Sequence, residues 1–170
     1  MRAQLISETA LTGQLLVQVL SAFDDKQLNT VPFEGSWTAA QVAEHIWKAG
    51  DCGVVYGPSA PTQRAADEKV NAIKALFQDY NAKFNAAEMI APGNAPHTQT
   101  QVMEHIHQVW DKLTTAANNV DLNEECLAFE VPGFGPFTRL EWIKFINIHT
   151  RRHIRQLENI QAHVLKEQRA

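Results

Sequence analysis

The sequence predicts an all-α helical bundle, and three observations carry that prediction. Apolar residues recur in steps of three and four along most of the chain. The pairs Thr38/Gln41, Thr98/Gln101 and Thr138/Glu141 have the capping-box spacing that opens helices. No stretch is strand-rich.

Each element follows from these signals. Leu5, Leu11, Leu15, Leu16, Val19, Leu20 and Phe23 mark the apolar face of a first helix that ends near Asp24-Asp25. Pro32 and Gly35 place residues 30–35 in a loop. A second helix opens at Thr38 and is stopped by Gly57-Pro58. Its stripe is Thr38, Val42, His45, Ala49, Cys52 and Tyr56. After a Pro/Ser/Thr loop at 58–64, a third helix is expected from about residue 65 to 81, with Val70, Ile73, Leu76, Phe77 and Tyr80 on one face.

The stretch APGNAPHT is a loop, and Thr98 caps a fourth helix whose face carries Val102, Ile106, Val109, Trp110 and Leu113. Residues 120–137, with CLAFEVPGFGPF, are too rich in Gly and Pro for a helix and fit a short extended excursion or hairpin. The last helix opens at Thr138 and reaches about Lys166. No repeat, low-complexity tract or linker divides the chain, so residues 1–170 are expected to form a single bundle domain.

Bulk properties exclude several function classes. At 45% hydrophobic and 20% charged, the 170-residue chain has ordinary globular composition and length for a sizeable core. A net charge of −4 leaves no electrostatic footprint for nucleic acid, and acids near Arg151, Arg152 and Arg155 offset the longest basic cluster. Gln4, Glu8, Gln14 and Gln18 interrupt the N-terminal segment, which lacks a signal-peptide apolar region and is too polar to span a bilayer. Cys52 and Cys126 are too few for a disulfide framework. A cytoplasmic protein that meets a small molecule, neither nucleic acid nor membrane, is the expectation.

The chemistry lies in the segment INIHTRRHIRQLENI. His149 and His153 stand four residues apart and share one face of the last helix. The stripe of that helix runs Trp142, Ile146, His149, His153, Gln156 or Leu157, Ile160 and Val164, so both histidines lie on its core-facing seam. Arg151 and Arg155 fall off that seam. Two buried neutral imidazoles need partners for their ring nitrogens, and a shared divalent cation is one economical solution. A third ligand is available in His45, inward-facing on the second helix. Three histidines leave a coordination position open.

A lone histidine on an apolar face is more often a hydrogen-bonded core residue, and HxxxH alone is only moderately specific. Three inward-facing histidines on two helices are much harder to explain as packing. The other histidines offer less: His97 is expected in a solvated loop and His163 near a frayed end, while His105 and His107 cannot share a face. Glu104 and His107 form an ExxH, but no second copy completes a di-iron set. Cys52 lies about 10 Å along the axis from His45 on a continuous helix, too far to share its ion, and reads as core. Trp37, Trp47, Trp110 and Trp142 read as packing residues.

GSWTAAQVAEH, a Trp and a helix cap leading to a buried His, together with HTRRHIRQ on the last helix, resembles the DinB-like superfamily. The likeness covers nearly the whole chain. It implies a four-helix bundle of up-down-down-up connectivity with one long crossover. It also implies a homodimer and one divalent ion, zinc or nickel, on the residues matching His45, His149 and His153. Better-understood relatives include bacillithiol and mycothiol S-transferases and the mycothiol-dependent maleylpyruvate isomerase, so a low-molecular-weight thiol is an expected co-substrate.

Three neutral histidines leave a divalent charge uncompensated and favour an anionic fourth ligand, from a thiol or from water. A zincin carries Glu directly after its first His; here Thr150 stands there, which disfavours peptide hydrolysis. Thiol transfer needs no such base. Arg152, beside the seam, and Gln156, one turn beyond His153, are candidates to hold a substrate carboxylate or a water, Arg152 otherwise being a solvated flank. Three readings result: a metal-dependent thiol transferase, a metal-dependent small-molecule hydrolase, or a non-catalytic, stress-associated metal-binding protein.

Overall fold

A computed structural model describes residues 1–82 and 84–167. Four long helices form the bundle: α1 (Arg2–Ser21), α3 (Ala39–Ala49), α6 (Gln99–Asn119) and α7 (Arg139–Glu167). Shorter pieces join them, α2 (Asp25–Leu28), α4 (Gly53–Tyr56), α5 (Val70–Phe77) and a 3₁₀ turn at Glu88–Ile90. The strands β1 (Ser59–Ala60) and β2 (Glu125–Cys126) pair antiparallel. No helix among the described residues is long and apolar enough to cross a membrane.

Side-chain contacts give the helix directions. Arg2 donates to the carbonyls of Ala117, Asn118 and Val120, while Gln99 reaches those of Ser21 and Phe23, so α1 and α6 run antiparallel. Glu8 meets Lys144, Thr9 meets Asn147 and Thr12 meets Arg151, so α1 and α7 run parallel. His45 faces His149, whereas Gly50 abuts Ile146, so α3 opposes α7. The order is therefore up-down-down-up. Residues 50–98 form the long crossover between the two parallel helices α3 and α6.

The capping boxes open their helices as predicted. Thr38 and Thr98 each accept from the backbone N–H three residues on, and a glutamine side chain reaches back to the cap. Thr138 and Glu141 exchange the same pair of bonds. The core draws on all four long helices, with Leu16, Leu20, Ile46, Ile106, Leu113, Ile143 and Leu157 essentially inaccessible.

Several boundaries differ from the sequence reading. The second helix ends at Ala49 with Gly50 as its C-cap, where a Cβ would meet Val109 and the Ile46 carbonyl, so only glycine fits. Only the one-turn α4 follows before Gly57. Tyr56 consequently leaves the buried seam and is exposed, while Cys52 stays buried. The third helix shrinks to Val70–Phe77, with Leu76 and Tyr80 exposed. Leu11 and Leu15 are also exposed, since the stripe that faces the bundle runs through Leu5, Thr9, Thr12, Leu16 and Leu20. Residues 120–137 are extended around β2, as expected, with a further bridge between Val131 and Gly135.

A candidate metal centre

Where α3 crosses α7, three imidazoles meet. His45 Nε2 lies 3.2 Å from His149 Nε2, and His153 Nε2 lies 3.1 Å from the same atom. One ligand atom from each lies within 4.8 Å of the others. Bonds of ~2.0–2.1 Å in a tetrahedron put neighbouring ligand nitrogens about 3.3 Å apart, so the two shortest edges match a shared ion. His45 and His149 are only 3% and 9% exposed, and His153 is partly buried.

The hydrogen bonds on the far side of each ring decide what the inner nitrogens carry. His45 Nδ1 lies 2.9 Å from the carbonyl oxygen of Ile90, which can only accept, so Nδ1 holds the proton and neutral Nε2 is a bare lone pair. His153 Nδ1–H donates to Gln156 Oε1 at 2.8 Å, with the same consequence for its Nε2. His149 Nε2 touches both of these atoms and can offer one proton to one of them. At least one close contact therefore sets lone pair against lone pair. An extra proton or a cation between them would relieve that contact.

The surroundings oppose the proton. Burial lowers the pKa of all three histidines. For His153 burial, then the neighbouring His45, bring it to about 4, against the Gln156 bond that raises it. Burial drives His149 well below its usual value, and His153, His45 and Arg152 push the same way. Lys48 adds a smaller repulsion at His45, opposed by the bond to Ile90. No described carboxylate acts on the trio. The arrangement can accept a divalent cation, and the nearby positive charges favour an anion accompanying it.

Aromatic rings complete the walls. Phe145 stacks on His149 with centroids 5.6 Å apart, Phe77 stands edge-on to it, and Trp37 tilts against His45 at 5.3 Å. Trp37 thus sits beside the centre, where the sequence reading had packing alone.

The remaining candidates are placed as follows. Gln156 orients His153. Arg152 points its guanidinium at the carbonyls of Phe77, Asp79 and Ala82 and lies over the Phe84 ring, so it fastens the crossover to α7. Its donors are therefore directed at the protein and not at solvent. His97 is not solvated either: its Nε2 meets Glu44 at 2.9 Å. His105 stacks on Trp47 from an exposed position, and Glu104 and His107 are exposed. Burial pushes the Cys52 thiol up to about 12, in keeping with an inert core residue. The Ile90 carbonyl was missed, because a backbone acceptor leaves no mark in sequence. Glu44 was missed too, although an acid beside a seam histidine in AEH was a visible signal.

Bundle topology and a trio of inward histidines together define a helical protein with a candidate three-histidine metal centre. The family model of the DinB superfamily matches residues 8–157, and the chain belongs to that superfamily. It is also similar to the uncharacterized protein YuaE of Bacillus subtilis (strain 168), 24% identical over 149 residues, which cover 85% of this chain and 90% of that protein. No solved structure matches.

Proposed function

We propose that the protein is a metal-dependent S-transferase that binds one zinc or nickel ion through His45, His149 and His153 and activates a low-molecular-weight thiol. The observation that carries this reading is the convergence of three Nε2 atoms, two of them left as lone pairs by the outer bonds of His45 and His153, with at most one proton, on His149, between them. A bound divalent ion supplies Lewis acidity that favours the thiolate over the thiol. The chain's own part is orientation and exclusion. Ile90 and Gln156 hold His45 and His153 with Nε2 inward, and Phe145, Phe77 and Trp37 keep the surroundings apolar.

Hydrolysis is less well served. It needs a base, and the nearest acid in sequence, Glu44, already accepts from Lys48, Gly93 and His97. Burial alone would raise the Glu44 carboxyl, but those three donors outweigh it and hold it at about 2. The same reading carries a small-molecule electrophile as second substrate and a homodimer, which light scattering tests. The functional test is consumption of an electrophile such as a chlorodinitrobenzene by the zinc- or nickel-loaded protein, with bacillithiol, mycothiol or a simple thiol supplied. Turnover that needs both metal and thiol supports the transferase. Turnover without thiol favours the hydrolase, and metal binding without any turnover leaves a non-catalytic metal protein.

A further inference from the structure

The segment from the 3₁₀ turn at Glu88–Ile90 to His97 crosses the outer side of α3, and none of its residues is buried. Apart from the His97 ring standing edge-on to Trp47, little apolar burial holds it, and polar clips from α3 do most of that work. Glu44 Oε1 accepts the Gly93 N–H at 3.0 Å, and Oε2 meets His97 Nε2 at 2.9 Å. Lys48 bonds Glu44 at 2.7 Å and donates to the Ala91 carbonyl at 2.8 Å. Gln41 reaches the Gly93 carbonyl at 3.0 Å. Asn29 closes the far end with two bonds to the His97 backbone.

Gln41, Glu44 and Lys48 follow one another at helical steps of three and four, and so form one row beside His45. The strap they fasten delivers the Ile90 carbonyl to His45 Nδ1. We infer that Glu44 and Lys48 are positioning residues for the metal centre: they clamp the 88–97 strap so that Ile90 fixes His45 with Nε2 inward. This inference rests on the metal reading above. A ligand histidine whose outer nitrogen loses its partner can turn or change tautomer, and its metal affinity falls.

Lys48→Met gives the sharpest test, because two explanations differ in sign. Removing a positive charge near the centre strengthens cation binding if charge is all that matters. Releasing the Ala91 clip weakens it if Lys48 positions the strap. The experiment measures zinc affinity of the full chain by competition with a chromophoric chelator, and the His45 tautomer of the metal-free protein by 15N-histidine NMR. Wild type is expected to bind zinc and to show His45 as the Nδ1–H tautomer. Lys48→Met is expected to bind about tenfold more weakly and to populate both tautomers. Lys48→Arg, which keeps donors for both acceptors, is expected to restore both values.

Should Lys48→Met fail to fold, Glu44→Gln gives the tautomer readout, which a change in net charge does not move. Equal or tighter zinc binding by Lys48→Met overturns the proposal, as does a His45 that keeps the single tautomer in the folded variant tested. A wild type that binds no zinc overturns the metal reading, and this proposal with it. Zinc bound equally by wild type and Lys48→Met overturns the positioning role alone.

Discussion

Two of the buried polar centres on helix α7 are built in opposite ways. Near its start, Glu141 is fully buried and accepts four hydrogen bonds: two from the Arg64 guanidinium at 2.8 Å, one from the Lys69 N–H at 2.7 Å and one from the Thr138 N–H at 2.9 Å. Arg64 also bonds Glu125 and the Pro136 carbonyl. Eight residues later, His149 meets only two other ring nitrogens on its inner side. The first centre is closed by the protein's own groups. The second is a set that a cation would complete. Buried polar groups are ordinarily satisfied; Trp142 Nε1 and Asn147 Oδ1 on the same helix also lack partners, so it is the convergence of three imidazoles, and not one unpaired atom, that marks the candidate site.

The largest effect expected from that contrast is at the closed centre. Glu141→Ala leaves the largely buried Arg64 guanidinium with only Glu125 and the Pro136 carbonyl, strips the Lys69 and Thr138 N–H groups of their acceptor, and should cost about 3–5 kcal/mol of unfolding free energy in urea. A folded remnant of that variant should still bind zinc, because the two centres share no residue. A loss well under 1 kcal/mol would remove the distinction between scaffold and site.

Acid should separate the centres next. The folded-state pKa of His153 is depressed to about 4, below the unfolded value near 6.5. Between those values the unfolded chain binds more protons than the folded one, so stability rises with pH. For the metal-free protein the contribution of His153 is thus present above about 6.5, declines as pH falls, and is gone below about 4, and His45 and His149, also lowered by burial, act in the same direction. The loss from His153 is on the order of 3 kcal/mol. Chemical denaturation of apoprotein at pH 7 and pH 5 captures about 2 kcal/mol of it, and equal stability at both values would show that the imidazoles are not buried neutral. Metal should reinforce the trend, since protons and cation compete for the same lone pairs. At a free-ion concentration of 100 times Kd, loading should add about 2.7 kcal/mol at neutral pH.

A smaller effect sharpens the same contrast. Gln156→Ala removes the acceptor that orients His153 without opening the core. It should weaken zinc binding about tenfold, read by chelator competition, and shift Tm of the apoprotein by only a degree or two. An unchanged affinity would mean that His153 needs no orienting partner.

What could be read from sequence follows from how local each signal is. Capping boxes lie within four residues, so the starts at Thr38, Thr98 and Thr138 were legible. The seam of α7 was legible because one long helix keeps its period, and it placed His149 and His153 inward beside Ile146 and Ile160. Where a tertiary neighbour intervenes, the pattern misled. α3 ends at Ala49, and the close approach of Val109 that requires a glycine at position 50 comes from a neighbour remote in sequence. Leu11 and Leu15 carry the helical period yet lie outside the stripe through Thr9 and Thr12, whose hydroxyls bond back to the helix carbonyls and let polar residues occupy the core. The parts of the centre supplied by main chain, the Ile90 carbonyl and the strap that presents it, had no residue code to read.

The central claim is that three lone pairs converge on a cation. Its most direct test is metal content, by elemental analysis, of protein purified without a His tag, comparing wild type with His149→Ala. About one equivalent of zinc, nickel or a similar divalent ion in wild type, lost in the variant while the helical circular dichroism persists, is the predicted result. No ion in wild type, even after divalent metals are supplied at neutral pH, would contradict it and leave the trio as core histidines.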